Sequence, residues 1–314
     1  MVRYALTRLA GLVGTLLVTS FVIFGGLYLS PGGPLNSLLG GRSASPEQIA
    51  AVKLEYKLDQ PFLERYTSFL GDLVRGDLGT SLVNRQPVSE LLGPRIGVTL
   101  FLLVFALVLV LLVGVALGTL GGLRGGRLDS AVVIASSVGL ATPAFVAAII
   151  LIALFAVQLG WFPVFGAGNG FLDRLWHLTL PAVALAASGQ ALVARVTRAS
   201  VREEAAREHV ETARSRGIPE REIIRRHVLR NALIPITTVG GITVAGLLAG
   251  GVVVENAFGL GGLGSLLVTS IQAKDYAVVQ IIALLFVATF VIVNTVVDLT
   301  YVAIDPRVRP WESA

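Results

Sequence analysis

Long stretches of this chain carry no charge. Runs without Asp, Glu, Lys or Arg cover Leu9–Gly41, Ile96–Leu123, Ser130–Leu172, Leu175–Ala194, Asn231–Val254, Asn256–Ala273 and Tyr276–Val297. A helix needs about 20 mostly apolar residues to cross the hydrocarbon core of a bilayer, so nearly all of these are candidate spans. The pattern predicts six, near residues 9–29, 97–120, 131–159, 178–196, 231–254 and 277–302. The run Asn256–Ala273 differs because it contains Gly259, Gly261, Gly262 and Gly264, each weakening a helix by about 1 kcal/mol. It is expected outside the membrane core, as a re-entrant or surface-lying segment. The expected fold is an all-α polytopic membrane protein in three parts. Residues 1–30 hold the N-terminal end and the first span, 31–95 an extracytoplasmic helical segment, and 96–314 the remaining spans with a cytoplasmic loop at 198–230.

Arginine placement orients the spans. With six of them, one side holds Arg3 and Arg8, Arg124 and Arg127, nine arginines between Arg198 and Arg230, and Arg307 and Arg309. The two short loops on the other side hold only Arg174 and Lys274. The positive-inside rule puts the arginine-rich side, and both termini, in the cytoplasm. Trp161, Trp176, Tyr28, Tyr276, Tyr301 and Trp311 fall near the predicted borders, where amphipathic rings prefer to sit. The first apolar stretch is longer than a signal-peptide core, and no small-x-small site follows it, so it reads as a retained span.

Residues 31–95 are too long for a bare loop. Ser45-Pro46-Glu47-Gln48 has the form of a capping box with proline at the first helical position. A second helix is expected after Asp59-Gln60-Pro61, with Phe62, Tyr66, Phe69, Leu70 and Leu73 at helical spacing. This element either packs on the spans or receives a delivery protein. Gly114-x-x-x-Gly118 and Gly246-x-x-x-Gly250 are spaced for close helix contact. Thr142-Pro143 is expected to kink the third span.

Composition narrows the chemistry. Charged residues make up 14% of the chain, against about 25% in soluble domains. There is no cysteine, which removes disulfides, thiolate metal sites and thiol catalysis. The net charge of +5 does not point to nucleic acid, because the arginines lie in loops between spans. Lys53, Lys57 and Lys274 are the only lysines, and none completes a phosphate loop. Gly259-x-Gly261-x-x-Gly264 lies between two spans without a βαβ unit and is read as a tight backbone path, not a nucleotide site. His177, His209 and His227 are too scattered in sequence for a metal set. Neither catalytic nor metal residues are expected, nor a cofactor in this chain. Asp298 is the one acid inside a predicted span. It lies near the cytoplasmic end, one turn after Asn294, and serves either as a structural anchor or as a functional site.

The loop 198–230 carries nine arginines and six glutamates. A helix is expected over Arg202–Arg216. Gly217 would end it in a left-handed conformation, and Pro219 would open the next. Such a helix–break–helix is either a rigid ridge that transmits a partner's movement or an amphipathic loop lying on lipid. Glu211-Thr212-Ala213, followed three residues later by Gly217, resembles the EAA loop of ABC import permeases. Further segments resemble the dipeptide/oligopeptide branch of that family, the DppB/OppB type. They are Leu58-Asp59-Gln60-Pro61, Arg75-Gly76-Asp77-Leu78-Gly79-Thr80-Ser81, Leu159-Gly160-Trp161-Phe162-Pro163, His177-Leu178-Thr179-Leu180-Pro181, Arg226-His227-Val228 through Pro235, Val254-Glu255-Asn256-Ala257-Phe258, Asn294-Thr295-Val296-Val297-Asp298 and Asp305-Pro306-Arg307. Thr212 stands where the motif usually has alanine.

This resemblance implies a type I importer permease of MetI-like architecture, in a bacterial cytoplasmic (inner) membrane. Implied partners are a second homologous permease, two cytoplasmic ABC ATPases that bind ATP and Mg, and an extracytoplasmic solute-binding protein. ATPase coupling falls to Glu208, Glu211, Thr212, Ala213, Gly217, Ile218 and Pro219. Glu255, Gly261, Asn294 and Asp298 are candidates for gating or structure. Relatives of this branch carry dipeptides, oligopeptides, glutathione, nickel chelates or short sugars. The rival readings are an ion- or proton-driven secondary transporter or channel, and a membrane scaffold.

Overall fold

The computed structural model describes the backbone of residues 2–28, 60–81 and 83–304, and the side chains of 10–26, 60–81 and 83–297. Ser45–Gln48, the Asp298 side chain and Asp305-Pro306-Arg307 lie outside them. The described residues fall into two compact units. One comprises 1–97 and 262–291, the other 98–261 and 292–314.

In the first unit the described residues include α1 (Val2–Tyr28) and α2 (Phe62–Val74), which starts directly after Pro61. The Tyr66 ring is buried against α1, and its hydroxyl donates to the Leu17 carbonyl at 3.0 Å and meets Ser20 Oγ at 2.8 Å. Phe21 and Phe24 make edge-to-face contacts with Phe62 and Tyr66 at 5.2–5.6 Å. The predicted helix after Pro61 therefore exists, and its aromatic face packs on the first span. Phe69 and Leu73 continue that face onto a buried cluster of Val88, Leu91, Leu92, Leu263, Leu266 and Val278. The segment Arg75–Ser81 is a scaffolded turn. Gly76 and Gly79 have φ of +83° and +78°, and Asp77 accepts from the Gly79 N–H at 2.8 Å. Ser81 closes the turn by donating to the buried Asp275 carboxylate.

Helix α10 (Leu263–Gln272) also belongs to this unit. Ten residues rise about 15 Å, half of a hydrocarbon core of about 30 Å. The glycine-rich run is accordingly no span. Its glycines shape the turn before α10, with Gly259 and Gly261 at φ +55° and +67°. Helix α11 (Tyr276–Ile304) begins in this unit and ends in the other.

The second unit takes most of α3 (Val88–Arg124), α4 (Gly126–Ala141), α5 (Ala144–Leu151) with its π-helical continuation to Gln158, and α6 (Gly170–Ala205). After these come α7 (Glu208–Ser215), α8 (Glu220–Ile223) with a π segment to Val228, and α9 (Leu229–Ala257). Its packing relies on small residues. A Cβ on Gly118 would stand 2.5 Å from the Ala194 carbonyl oxygen, and one on Gly114 2.8 Å from Val193. Gly122 extends the seam, 2.9 Å from the Arg198 carbonyl oxygen. The expected Gly114–Gly118 contact is thus present and one turn longer. The Gly246–Gly250 expectation holds at one end only. Gly250 meets Leu185 at 3.0 Å, whereas Gly246 faces open space.

Among the described residues, four helices are long and apolar enough to cross a membrane: Val88–Arg124, Gly170–Ala205, Glu220–Ala257 and Tyr276–Val297. The stretch expected as one kinked span at 131–159 is two helices bent by 101°. Pro143 has no N–H to continue the first and stands immediately before the second. The apolar stretch Ala10–Gly26 lies within α1. Every expected span therefore falls on a helix or a broken pair. The helices overrun the expected limits because they continue into charged turns, with Pro94 and Pro181 inside α3 and α6.

Candidate coupling site

The loop expected as one helix over Arg202–Arg216 is broken at Ala206-Arg207. Helix α6 runs on to Ala205, and α7 starts at Glu208. No proline or glycine marks this break. At the break Arg207 pairs with Glu203 and Glu204, both at 3.0 Å. Helix α7 has two sides. Val210 and Ala213 are buried, while Glu208, Glu211 and Thr212 are exposed. Of the EAA-like triplet, Glu211 and Thr212 therefore face outward and Ala213 anchors the helix.

The α7 end has the geometry predicted from Gly217. Its φ is +73°, the left-handed region that glycine enters freely. The Gly217 N–H donates to the Arg214 carbonyl at 2.9 Å and the Ile218 N–H to the Ala213 carbonyl at 3.3 Å. This pair of bonds is the Schellman arrangement, which satisfies carbonyls orphaned at a helix end. Pro219 sits one position earlier than expected, as the residue before α8, with its carbonyl accepting from Glu222 and Ile223. Arg214 then clips α7 to α8, donating from Nη2 and Nε to the Glu220 carboxylate at 2.8 and 3.2 Å. These hydrogen bonds hold the Glu220 carboxyl below the usual carboxylate range. The clip's contribution is therefore present at neutral pH and lost as pH falls through that lowered value.

Two carboxylates that the sequence pattern does not single out fasten this loop to the spans. Glu204, on α6, is 7% exposed. It accepts from Asn231 Nδ2 of α9 at 3.1 Å and from Arg207 Nε at 3.0 Å, so one buried group ties the two flanking helices and the break together. Its register carries a signal: it lies three residues after Val201 and seven after Thr197, both fully buried, so it extends the inward stripe of α6. Asp129, at the start of α4, is gripped by Arg198 through both oxygens and lies 3.5 Å from Arg202. His209 and His227, far apart in sequence, come together with ring centroids 6.2 Å apart, on either side of the Gly217 turn. Among the described residues, no group of three or more His, Asp or Glu side chains is arranged to hold a metal.

The gating candidates lie elsewhere. Glu255 lies at the far end of α9, roughly 38 Å of helix from Arg230, and Gly261 lies in the turn after that helix. Glu255 is 1% exposed and accepts from Thr99 Oγ1 at 2.6 Å. Gly261 has open space around its Cβ position, so it answers a need for positive φ and not for close packing. Asn294 is half-buried in α11. Sequence reasoning thus named the α7–α8 cluster as one site, while Glu255, Gly261 and Asn294 do not join it.

Long apolar helices, with a short helix fastened within an arginine-rich loop, mark a membrane protein. The chain belongs to the binding-protein-dependent transport system inner membrane component family, whose pattern matches residues 114–310; the N-terminal component of the same systems matches residues 1–103. It is 37% identical over 310 residues to the glutathione transport system permease protein GsiC of Escherichia coli O6:H1, covering 98% of this chain and 99% of that protein. GsiC of Escherichia coli K12 is 36% identical and that of Salmonella choleraesuis 37%, with the same coverage. Its fold is that of the MetNI methionine ABC transporter in inward-facing conformations, with a TM-score of 0.57 at 19% identity over 69% of this chain and 97% of that one. An amino acid ABC transporter with histidines is similar at a TM-score of 0.51 and 20% identity, covering 74% of this chain and 96% of that one. The chain is therefore an inner-membrane permease subunit of a binding-protein-dependent ABC importer. It is a transport component and not an enzyme.

Proposed function

We propose that this permease is one of two homologous membrane subunits that pass a small peptide or a glutathione-like solute into the cytoplasm. An extracytoplasmic binding protein delivers the solute, and two cytoplasmic ATPases bind ATP and Mg and supply the energy, with no cofactor in this chain. Both termini face the cytoplasm, as does α7. The solute class is supported by relatives of nearly equal length that are glutathione permeases.

The observation that carries the mechanism is the fastening of α7. Its inward residues Val210 and Ala213 are buried, its end is closed at Gly217, and Arg214 holds it to α8. Glu204 links the adjoining turn to both α6 and α9. Glu208, Glu211 and Thr212 are left outward, available to a groove on an ATPase. Movement of that groove then turns α6 and α9 together instead of bending the loop. ATP binding favours one arrangement of the spans and hydrolysis restores the other, so the differential free energy required for alternating access comes from the ATPase. The long first extracytoplasmic segment is fitted to the binding protein's side of the membrane.

Cysteine substitutions at Glu211 and Thr212, in a chain with no native cysteine, test this contact. Each is expected to cross-link to an ATPase subunit in the assembled complex, while a cysteine at exposed Val74 does not. Cross-linking absent at both loop positions, with the complex intact, would remove α7 from the interface.

A further inference from the structure

A trough of about 270 Å³ lies within the second unit between α3, α9 and α11. Three stripes face it: Leu111 and Val115, Thr237 and Gly241, Val293 and Val297. Each pair is four residues apart and so lies on one helix face. The floor is backbone, because Gly240 and Gly241 lack side chains there. A Cβ on Gly241 would already stand 3.0 Å from Val297. Among the described residues Thr237 is the one polar residue lining it, and its hydroxyl donates to the Ile234 carbonyl at 2.9 Å. A peptide would leave its amides unsatisfied here, at a desolvation cost that hydrocarbon avoids.

The α9 stripe continues toward the arginine-rich end. Arg230 precedes Leu233 by three residues, Thr237 by seven and Gly241 by eleven, which keeps it within about 60° of the trough's face. It is exposed and, among the described residues, has no acidic partner, whereas nearby Arg226 is held by Glu222 at 2.8 Å. From Leu233 to Val244 the trough rises about 16 Å, one leaflet of a core of about 30 Å. We infer that the trough binds one anionic phospholipid, with an acyl chain along Thr237 and Gly241 and its phosphate on the Arg230 guanidinium. A cationic mouth over an intramembrane apolar cleft is the physical requirement for such a headgroup site. Guanidinium matches phosphate with paired donors. The lipid would brace α9 against α3 and α11 at the end that adjoins the coupling loop.

The test uses the complete complex, extracted from vesicles of phosphatidylcholine with a minority of phosphatidylglycerol and examined by native mass spectrometry. One phosphatidylglycerol per copy of this chain is expected to survive extraction. Arg230→Gln should lower that retention on the order of tenfold, the loss of one charge-assisted contact, and Arg230→Lys should keep most of it. Thr237→Phe, which fills the trough, should abolish retention; if it fails to insert, Arg230→Gln decides alone. Equal retention in Arg230→Gln and wild type, or retention of phosphatidylcholine as readily as phosphatidylglycerol, overturns the inference. So does a cysteine at Leu233 that cross-links to the second permease, since the trough would then be a subunit interface.

Discussion

Gly217→Val puts a β-branched side chain on a backbone with φ of +73°. No heavy atom lies within 4 Å of the new Cβ, so the cost is backbone strain without a clash. Holding an ordinary L-residue in the left-handed region costs about 1–2 kcal/mol, rising toward about 3 for a strained functional position. The turn opposes this with two backbone hydrogen bonds, from Gly217 to Arg214 and from Ile218 to Ala213, worth about 1 kcal/mol each. The terms are of equal size, so a valine turn is open for much of the time and α7 loses its fixed direction. The spans lie outside the perturbed residues and should insert normally. Reconstituted with the ATPases and binding protein, the variant should reach wild-type membrane abundance while uptake per ATP hydrolysed falls about tenfold, the equivalent of 1.4 kcal/mol. Gly217→Asn should keep most of the uptake, because asparagine tolerates the left-handed region. Full uptake by Gly217→Val would refute the reasoning. Equal damage from Asn and Val would also refute it, since the conformation would then not be the cause.

Other variants probe the packing behind the loop. Gly118→Leu should lower the thermal midpoint of the detergent-solubilised chain markedly, because its Cβ meets the Ala194 carbonyl oxygen at 2.5 Å, while Gly246→Ala, facing open space, should leave it unchanged. Asp129→Arg should impair assembly with the ATPases by placing three cations together, and the swap Asp129→Arg with Arg198→Asp should restore it, read by co-purification. Glu204→Ala leaves Asn231 and Arg207 without their shared acceptor, a loss of about 1–3 kcal/mol. Its expected phenotype is ATP hydrolysis without matching uptake, whereas Glu203→Ala on the exposed side should stay near wild type in the same assay. The purified chain, without a phosphate loop, should retain no nucleotide analogue in equilibrium dialysis.

The helices were legible wherever a long apolar run had no competing requirement. Leu102, Ala106 and Val110 of α3 and Val278 and Ile282 of α11 are buried within stretches that hydropathy marks without help. The Gly217 turn was legible because one residue type satisfies one backbone conformation. Its position between Arg216 and Pro219 allowed little else. The break at Ala206-Arg207 was not legible, since alanine and arginine both favour helix and the contact that fastens Glu204 beside it comes from Asn231, 27 residues further on. Asp129 and Arg198 are 69 residues apart, and nothing local announces their pairing. Pro143 announced a bend, but the 101° angle is set by how α4 and α5 each pack on α6. The outward and inward faces of Glu211, Thr212 and Ala213 could not be told from a motif of three adjacent residues, because adjacent residues on a helix point about 100° apart.

Uptake of labelled glutathione or a tripeptide into proteoliposomes tests the central claim most directly. The vesicles would hold this chain, its partner permease and the ATPases, with binding protein on the delivery side. The account predicts accumulation that requires ATP on the ATPase side and the binding protein on the other, and that persists after ion and proton gradients are collapsed. Accumulation by this chain alone, driven by an ion gradient and indifferent to ATP, would contradict it.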